Sequence, residues 1–481
     1  MNIRAVLRLL GFVIIMLGIF MIPPTVIAFV LGENTKLTFM FIAAGLIVVG
    51  ALLTLLKSNK AITAREGFAT VALGWIVISL CGALPYCISG SIPSFIDSLF
   101  ETASGFSTTG ASILTDIESL PRSILYWRSF TNWLGGMGVL VFLLAVIPMS
   151  RGGSGDSFQL MRAESPGPSV GKITPTLRSS ARILYLLYIG LTVLEMILLL
   201  CGGLPIFDSV TTALANAGTG GFSIRNASIA AYDSAYIQTV VTIFMILFGV
   251  NFNVFYLILI RKFRQAFRNE ELWMYFGFIA VAATTILINI RHLYESFGKA
   301  LLDSVFQVSS IITTTGFATA DFDKWPEYSR CVLVFLMFIG ASAGSTGGGM
   351  KISRMIILAK SVKTELHSIV RQREVKPVKM DGKTLDSAVL RGTHAYFVAY
   401  ALICVVSVLF VSLDGFNFET TLTSVISCLN NIGPGLGMVG PTGNYAAFSG
   451  LSKIVLSLNM LIGRLEIFPI LMLFSPSTWK K

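Results

Sequence analysis

The sequence predicts an all-α polytopic membrane protein with two N-terminal helices followed by four helix–pore-loop–helix repeats around one pore. Three observations support this fold class. Hydrophobic residues make up 54% of the 481 residues and charged residues only 13%, whereas a soluble domain carries roughly 25% charged residues. Apolar segments long enough to cross a bilayer recur along the whole chain. Finally, a short polar motif occurs four times with the same internal spacing.

Ten apolar segments are long enough for a membrane-spanning helix, which needs about 20 residues. Their approximate positions are 8–31, 37–56, 67–90, 124–149, 181–202, 235–260, 272–290, 330–366 (interrupted), 394–413 and 450–474. The first segment follows Arg4 and Arg8, as the apolar part of a signal peptide would. It is long, however, and lacks a clear small-x-small cleavage site, which favours a retained helix.

The repeated motif joins a Ser or Thr to a Gly twelve residues later. The copies run from Ser98 to Gly110, from Ser209 to Gly221, from Ser304 to Gly316 and from Thr421 to Gly433. The first three have an Asp directly before the Ser, whereas Glu419 in the fourth is displaced by one position. Four half-length helices, each ending in a Gly-bearing polar stretch, predict four re-entrant loops around one axis. Ion filters lined by carbonyl oxygens are built in this way.

The polar stretches supply the candidate ion-binding residues. A cation that enters the membrane exchanges its water shell for fixed oxygens, and turning backbone carbonyls toward one axis needs angles that Gly adopts freely. The candidates are Thr108, Thr109, Gly110, Thr219, Gly220, Gly221, Thr314, Thr315, Gly316, Asn431, Ile432 and Gly433. The alternative is a set of Gly- and Thr-rich packing contacts between helices. Four copies in matched register argue against that alternative.

The motif copies divide the chain into predicted units. These are the N-terminal transmembrane helix pair (1–60), pore repeat 1 (61–150), pore repeat 2 with a basic cytoplasmic loop (151–262), pore repeat 3 with an interrupted second helix (263–386) and pore repeat 4 (387–481). We expect the half-helices to aim their partly negative C-terminal ends at a central cavity, where they favour a monovalent cation. The inserts 151–180 and 367–393 are basic and too short to be domains.

The net charge of +11 follows the positive-inside rule and does not indicate a nucleic-acid partner. If both termini are cytoplasmic, basic residues collect at the cytoplasmic ends of the spans, most densely from Lys351 to Arg391. The opposite side carries few bases and the acids Asp97, Asp116, Glu118, Asp233, Asp321, Asp323 and Glu327. This asymmetry repeats over all ten predicted spans.

Enzymes and alternating-access carriers fit the sequence poorly. The six cysteines lie in or beside apolar segments without CxxC spacing, and the three histidines form no HExxH motif. An enzyme would need paired acid–base or metal-binding residues in its spans, where only Glu195, Arg464 and Glu466 are candidates. A carrier would show inverted repeats, whereas these four repeats share one orientation. We expect no organic cofactor.

The eighth span is interrupted by a Gly-rich stretch from Gly340 to Gly349. It is not a Walker A loop, because Met350 stands where that motif requires Lys. Gly is unfavourable inside a helix, so the stretch predicts either a movable barrier just beneath the filter or a passive kink. The candidate gate residues are Gly344, Ser345, Thr346, Gly347, Gly348, Gly349, Lys351 and, from the last span, Arg464.

Arg464 is a candidate because a charge inside a span is costly unless it faces water or a partner. Glu466 is a poor partner for it, since residues at i and i+2 point in different directions on a helix. Glu195 in the fifth span is a more distant candidate partner. The alternative is that Arg464 faces the pore below the filter, where its charge repels cations.

The motifs closely resemble those of the TrkH family, within the superfamily of Trk, Ktr and HKT cation transporters. The resemblance covers essentially the whole chain and includes REGF (65–68), GALPY (82–86), TTGAS (108–112), GGMG (135–138), RAESPGP (162–168), GGFS (220–223), GSTGGGMK (344–351), NNIGPGLG (430–437) and GRLEIF (463–468). The second and fourth motif copies depart from the other two, with Ala217-Gly218-Thr219-Gly220 before Gly221 and Asn430-Asn431-Ile432 before Gly433. The ring should therefore be only approximately fourfold.

This resemblance implies potassium-selective, channel-like uptake across the bacterial inner membrane, with K⁺ passing the filter carbonyls and both termini cytoplasmic. It implies a homodimer in membrane lipid, with one pore per subunit, gated by a cytosolic nucleotide-binding ring of the RCK type (TrkA-like). It also favours a gating role for the Gly-rich stretch and a pore-facing Arg464. A Na⁺-permeable or weakly selective transporter of the superfamily is the alternative. The inserts 151–180 and 367–393 are predicted to dock the ring, or else to form a solvated positive face.

Overall fold

The structure, a computed structural model, describes residues 2–56, 63–138, 177–371 and 376–479. Most of the insert 151–180, the motif at 162–168 and Arg373 lie outside the described residues. Within those ranges the regular secondary structure is helical apart from one small hairpin, in which β1 (Lys379–Met380) pairs antiparallel with β2 (Lys383–Thr384). The predicted all-α class is thereby confirmed.

Three helices precede the repeats, namely α1 (Ile3–Phe20), α2 (Ile22–Val30) and α3 (Lys36–Thr54). Two prolines at the start of α2 lie where missing amides cost nothing, so α1 and α2 continue as one apolar unit. Helix α1 packs against α3 at Gly11 and Gly50, where a Cβ on Gly50 would lie 2.7 Å from the Gly11 carbonyl oxygen. Such close backbone contact is typical of small residues in membrane helices.

The remaining helices follow the four copies of the motif. Repeat 1 contains α4 (Ala64–Ile88), α5 (Phe95–Phe106) and α6 (Arg122–Gly136). Repeat 2 contains α7 (Leu177–Cys201), α8 (Ile206–Ala217), α9 (Ala235–Phe248) and α10 (Phe252–Leu259). Repeat 3 contains α11 (Phe263–Ala266), α12 (Glu270–Ile290), α13 (Phe297–Ile312), α14 (Glu327–Ile339) and α15 (Ile352–Val370). Repeat 4 contains α16 (Ser387–Val411), α17 (Phe418–Asn430), α18 (Gly450–Arg464), α19 (Phe468–Phe474) and α20 (Pro476–Trp479). Short 3₁₀ turns lie at Ser228–Ala231, Arg291–Leu293, Phe322–Lys324, Ser412–Asp414 and Gly437–Val439.

The four pore helices α5, α8, α13 and α17 contain 12, 12, 16 and 13 residues. At 1.5 Å per residue none of them crosses an apolar layer of about 30 Å. Side-chain caps fix where two of them begin. The Ser94 hydroxyl accepts from Asp97 N at the start of α5, and Asn417 Oδ1 accepts from Thr420 N at the start of α17. All four helices end at a polar loop.

The repeats close into a ring because the second helix of each contacts the pore helix of the next. The contacts are α6 with α8, α9 with α13, α14 with α17, and α18 with α5. Ion pairs strengthen two of these junctions. Lys453 Nζ lies 2.6 Å from Asp97 Oδ1, and Arg330 pairs with Glu419. Lys453 and Arg330 each occupy the fourth position of their helix, so the two junctions are built alike.

Two predicted spans are not continuous helices. In the described residues, six helices are long and apolar enough to span, or seven if α9 and α10, which are bent by 91°, form one span. The segment 235–260 breaks between these two helices. The segment 450–474 breaks after Arg464, where Glu466 and Ile467 have φ of 53° and 71°. The predicted interruption of 330–366 is present between α14 and α15.

We predict that Gly135→Ala destabilises the fold whereas Gly190→Ala does not. A Cβ at Gly135 would lie 1.8 Å from the Phe106 carbonyl oxygen, while nothing lies within 4 Å of one at Gly190. Overpacking costs about 1–3 kcal/mol, and Ala instead of Gly in an open helix gains roughly 0.5–1 kcal/mol. Thermal unfolding of the purified variants in detergent measures both effects. Equal melting temperatures would contradict the close contact.

Candidate functional site

The four polar loops share one backbone conformation. Two residues before each motif Gly, φ is 58° at Thr108, 52° at Thr219, 59° at Thr314 and 57° at Asn431. The glycines themselves have φ of 78° at Gly110, 64° at Gly221, 83° at Gly316 and 100° at Gly433. The residue between them has no positive φ in any copy. An L-residue with positive φ is strained, so four matching non-Gly cases indicate a geometry imposed by the assembled ring.

The loops touch one another in a closed circle. A Cβ on Gly110 would lie 2.2 Å from the carbonyl oxygen of Gly220, and one on Gly221 would lie 2.0 Å from that of Thr315. The same holds for Gly316 against the Ile432 oxygen at 2.1 Å and for Gly433 against the Thr109 oxygen at 2.6 Å. Each motif Gly therefore lies against a carbonyl oxygen of the next copy. This oxygen belongs to the residue that directly precedes the motif Gly of that copy. A side chain at any of the four positions would separate neighbouring repeats.

A cavity of about 160 Å³ is lined by all four motif glycines, which therefore surround one axis. Ile117 and Asn226 are also among its lining residues. Beside them, Asn226 Nδ2 donates to Asp116 Oδ1 at 3.0 Å, and this hydrogen bond holds the pKa of the exposed Asp116 carboxyl below its usual value. Asp116 consequently stays ionised as the pH falls toward its ordinary pKa, which keeps a negative charge beside the lining residue Asn226.

Side chains brace the loops from behind. Thr109 bonds the Ser107 hydroxyl at 2.7 Å, and Thr315 bonds that of Thr313 at 2.8 Å. In the fourth copy Asn431 Nδ2 donates to Thr109 Oγ1 at 3.0 Å and thus ties copy 4 to copy 1. The departure of copy 4 from the Thr pattern therefore has a structural reason. An amide spans a gap between copies that a Thr hydroxyl is too short to cross.

The Gly-rich segment 340–351, called the intramembrane loop below, lies directly against the ends of two pore helices. Gly348 N donates to Thr314 Oγ1 at 2.6 Å. A Cβ on Gly347 would lie 2.8 Å from the Thr313 carbonyl oxygen, and one on Gly348 would lie 2.4 Å from that of Asn430. Only Gly fits at both positions, which explains why these glycines follow one another here.

The same loop stabilises the break between α9 and α10. Ser342 N donates to the Gly249 carbonyl at 3.2 Å, and Phe252 N donates to the Gly344 carbonyl at 3.0 Å. A sharp bend frees backbone groups that need partners in an apolar layer, and the intramembrane loop supplies them. The sequence of 235–260 alone does not reveal this bend because its partners come from another repeat.

Arg464 reaches across the ring. Its guanidinium donates to the Thr346 carbonyl of the intramembrane loop at 2.7 Å and to the carbonyls of Gly135 and Gly136 at the end of α6. Glu466 pairs with Arg354. Lys351, another predicted gate residue, donates to the Gly347 carbonyl. The site residues of the last span therefore meet those of the eighth.

Glu195, the distant candidate partner for Arg464, instead accepts a hydrogen bond from Asn216 Nδ2 at 2.5 Å. Asn216 lies near the end of the second pore helix and also donates to the Val241 carbonyl at 3.2 Å. Glu195 is fully buried there. Glu195 therefore ties α7 to α8, and Asn216 in turn ties α8 to α9. This role differs from the one considered for Glu195.

Comparison with known proteins decides the family. The TrkH family, described as cation transport protein, matches residues 35–294 and 294–481. The Trk system potassium uptake protein TrkH of Salmonella typhimurium is 35% identical over 490 residues, with 100% of both chains covered. The Escherichia coli K12 protein of the same name is 36% identical with the same coverage. The crystal structure of the potassium transporter TrkH from Vibrio parahaemolyticus matches with a TM-score of 0.88 at 30% identity, covering 100% of both chains.

The chain belongs to the TrkH family. It is accordingly a multi-pass membrane transporter and not an enzyme, and the family predicted from its motifs is confirmed.

One feature of this TrkH family member that the sequence analysis missed is a buried ion pair. Arg128 and Glu101 are 1% and 0% exposed, and Arg128 Nη2 lies 2.8 Å from Glu101 Oε1. Glu101 Oε2 also accepts from Ile113 N, just after the first loop. Arg128 donates to the Ser223 carbonyl at 3.0 Å, just after the second loop, and its guanidinium lies 4.2 Å from the Phe222 ring centroid. The pair thus links two neighbouring loops.

Tyr445 was also missed. Its buried hydroxyl donates to the Gly433 carbonyl at 2.8 Å, and its backbone N donates to the Ser112 carbonyl. Tyr445 lies far along the chain from every motif copy except the fourth. The only signals for these residues were a charged pair inside an otherwise apolar repeat and a Tyr in a polar return, and neither is specific.

We predict that Arg128→Leu strongly destabilises the protein, because Glu101 is then a buried carboxylate without its cation. Such losses cost roughly 3–5 kcal/mol. The double variant Arg128→Leu with Glu101→Leu should recover part of this loss. Lys324→Gln, which removes an exposed pair to Asp321, should change stability by less than about 1 kcal/mol. Thermal unfolding in detergent provides the measurement, and a double variant no more stable than Arg128→Leu would argue against the pair.

Proposed function

We propose that this chain is a potassium-selective, channel-like uptake protein that conducts K⁺ along the axis of the four loops. The observation that carries the proposal is the fourfold alternation of φ in the loops, with each motif Gly against a carbonyl of the next copy. Alternating positive and negative φ turns successive carbonyls to one side, and carbonyl rings replace the water shell of K⁺. Relatives from Salmonella and Escherichia named potassium uptake proteins give independent support.

The proposed ion sites consist of the carbonyls of three residues in each copy. They are Thr108, Thr109 and Gly110; Thr219, Gly220 and Gly221; Thr314, Thr315 and Gly316; and Asn431, Ile432 and Gly433. The pore helices end at these loops, so the partly negative ends of α5, α8, α13 and α17 favour a cation on the axis. The ionised Asp116, bonded to the cavity-lining Asn226, adds to the local cation concentration.

The proposed gate consists of Gly344, Ser345, Thr346, Gly347, Gly348, Gly349 and Lys351 of the intramembrane loop, together with Arg464. The loop lies against the third and fourth filter loops, and a passive kink would not need bonds to Thr314 and Arg464. Arg464 adds a positive charge beside the loop. This charge is fixed beside the loop by the bond to Thr346, where it opposes entry of a cation from this side.

We further propose that two subunits associate in a bacterial inner membrane with both termini cytoplasmic, and that a cytosolic nucleotide-binding ring of the RCK type (TrkA-like) gates each pore. The supports are the basic character of 367–393 and the word "system" in the names of the relatives. A Na⁺-permeable or weakly selective transporter is the second candidate. It is favoured by the unequal loops, since copies 2 and 4 carry Gly220 and Ile432 in place of Thr.

We predict that Gly110→Ser raises Na⁺ permeation relative to K⁺. The side chain would displace the Gly220 carbonyl 2.2 Å from its Cβ and add a hydroxyl ligand. The matched control is Gly90→Ser, which has the same kind of backbone (φ 75°) but open space around it. Competitive flux of K⁺, Rb⁺, Na⁺ and Li⁺ into proteoliposomes measures selectivity. Unchanged selectivity in Gly→Ser variants of all four glycines, with normal expression, would refute the assignment.

We predict that deleting Thr346–Gly348 raises K⁺ flux measured without the partner, because a steric barrier is removed.

We predict that Arg464→Ala also raises K⁺ flux, because it removes an electrostatic barrier. At an effective dielectric near 20, unit charges about 6 Å apart repel by roughly 3 kcal/mol, which corresponds to about a hundredfold in rate. Arg464→Lys keeps the charge and should change flux little, as should the control Arg268→Ala on an exposed site. The gate would lie elsewhere if K⁺ flux in the deletion variant stays at background and Arg464→Ala fails to fold.

We predict that neutralising Arg371, Arg373 and Lys376 weakens capture of an RCK-type ring. The charges lie in a segment too short to fold alone, and oppositely charged surfaces steer association. A control variant neutralises Lys299 and Lys324, which lie outside this segment. Binding is measured by pull-down at two salt concentrations. Equal capture by wild type and the triple variant would count against docking through this segment.

A further inference from the structure

One carboxylate in α12 bonds both flanks of the intramembrane loop. Glu271 is 1% exposed and lies in the first turn of its helix. Its Oε1 atom accepts from Ala343 N at 2.7 Å and from Ser353 N at 3.1 Å. Ala343 directly precedes the Gly344–Gly349 stretch, and Ser353 is the second residue of α15. A single oxygen atom therefore joins the two ends of the proposed gate.

The position suits a charged acceptor for two reasons. The first turn of α12 carries the partly positive end of the helix dipole, which stabilises an anion there. The bonded amides also need an acceptor, because Ser353 N belongs to the first turn of α15, where the helix supplies no partner, and Ala343 lies in irregular backbone. A buried carboxylate is tolerated only when it is hydrogen-bonded, and these two amides meet that need.

Other contacts of the loop differ in kind. Gly348 N bonds Thr314 and the Thr346 carbonyl accepts from Arg464, so both act on the middle of the loop and on its pore side. A loop that leaves the axis must break these contacts. The bonds to Glu271 act only on the flanks and limit how far the middle can travel.

We infer that Glu271 is a positioning residue that holds the two hinge points of the intramembrane loop and thereby keeps the loop across the axis. This inference rests on the gate proposed above and assigns the means by which the gate is controlled. A backbone hydrogen bond from Ile352 N to the Ala341 carbonyl at 3.2 Å also joins the two flanks. Without the shared oxygen the flanks lose two of the hydrogen bonds that hold them, so they separate more easily. A longer free segment samples more conformations, most of which leave the axis open.

The terminus of α12 also links this anchor to the basic segment. Glu270 N donates to Asp381 Oδ1 in the β1–β2 hairpin at 2.8 Å, and the Glu270 side chain pairs with Lys360 of α15. A partner that moves the hairpin or α15 therefore acts on the residue next to Glu271. The anchor is thus within one turn of helix of the surface on which the ring is proposed to dock.

The test compares Glu271→Leu with Glu271→Gln in full-length protein reconstituted without a partner. Leu removes both bonds, so Rb⁺ flux should rise roughly tenfold, with Rb⁺/Na⁺ selectivity unchanged. Gln retains the Oε1 acceptor, so its flux should stay near the wild-type value. Glu365→Gln, at an exposed site in α15, controls for loss of one negative charge and should have no effect. Size-exclusion profiles and melting temperatures establish that each variant is folded.

A second readout follows the loop independently of transport. In protein with its six native cysteines replaced by alanine, a cysteine at the buried Thr346 is labelled with a water-soluble maleimide. Glu271→Leu should raise the labelling rate, and Glu271→Gln should not. Unchanged labelling and unchanged flux in folded Glu271→Leu would overturn the inference, even if deletion of Thr346–Gly348 raises flux. If that deletion leaves flux at background while Glu271→Leu raises labelling, the anchor stands and the proposed gate fails.

Discussion

The constraint on which the rest of the structure depends is contact between backbones at the axis. Four glycines with positive φ each lie against a carbonyl of the next repeat, at distances that leave no room for a Cβ. Everything around them keeps the four loops at this separation. The pore helices end there, Asn431 ties copy 4 to copy 1, and the Arg128–Glu101 pair links copy 1 to copy 2. Loss of one brace therefore affects neighbouring loops as well as its own.

A second constraint is the need of every backbone group in an apolar layer for a partner. The intramembrane loop and the bend between α9 and α10 meet this need together, because each supplies the hydrogen bonds that the other lacks. Glu271 supplies a further acceptor at the flanks of the loop. If the loop moves, these backbone groups must find new hydrogen-bond partners. Opening the loop therefore costs free energy unless such partners are available.

The sequence predicted those features whose signal lies within one short segment. Four copies of one spacing revealed the loops, and a run of glycines in an apolar segment revealed the interrupted span, since both signals are local. The bends after Phe248 and Arg464 were not predicted. The first is stabilised by Ser342 and Gly344 from another repeat. The second requires positive φ at Glu466 and Ile467, two residues with no general preference for it, and Glu466 is held there by Arg354 from another repeat. Glu195 was considered as the partner of Arg464, but its carboxylate accepts a hydrogen bond from Asn216.

The partners of Arg464 illustrate the same limit. Its position in the last span marked it as unusual, yet its acceptors are the backbone carbonyls of Thr346, Gly135 and Gly136. Carbonyls carry no residue-type signal, so a search for a complementary side chain could not find them. In the mechanism we propose, the Arg464 guanidinium has two roles. It donates a hydrogen bond to the loop, and it places a positive charge beside the loop.

The central claim is that the four motif glycines surround a cation site on one axis. Crystals soaked in Rb⁺ test it directly, because the anomalous signal of this ion locates it independently of the protein atoms. The account predicts anomalous density on the axis between Gly110, Gly221, Gly316 and Gly433 that disappears when Li⁺ replaces Rb⁺. Absence of axial density in a well-ordered crystal, or density confined to sites away from these four loops, would contradict the account.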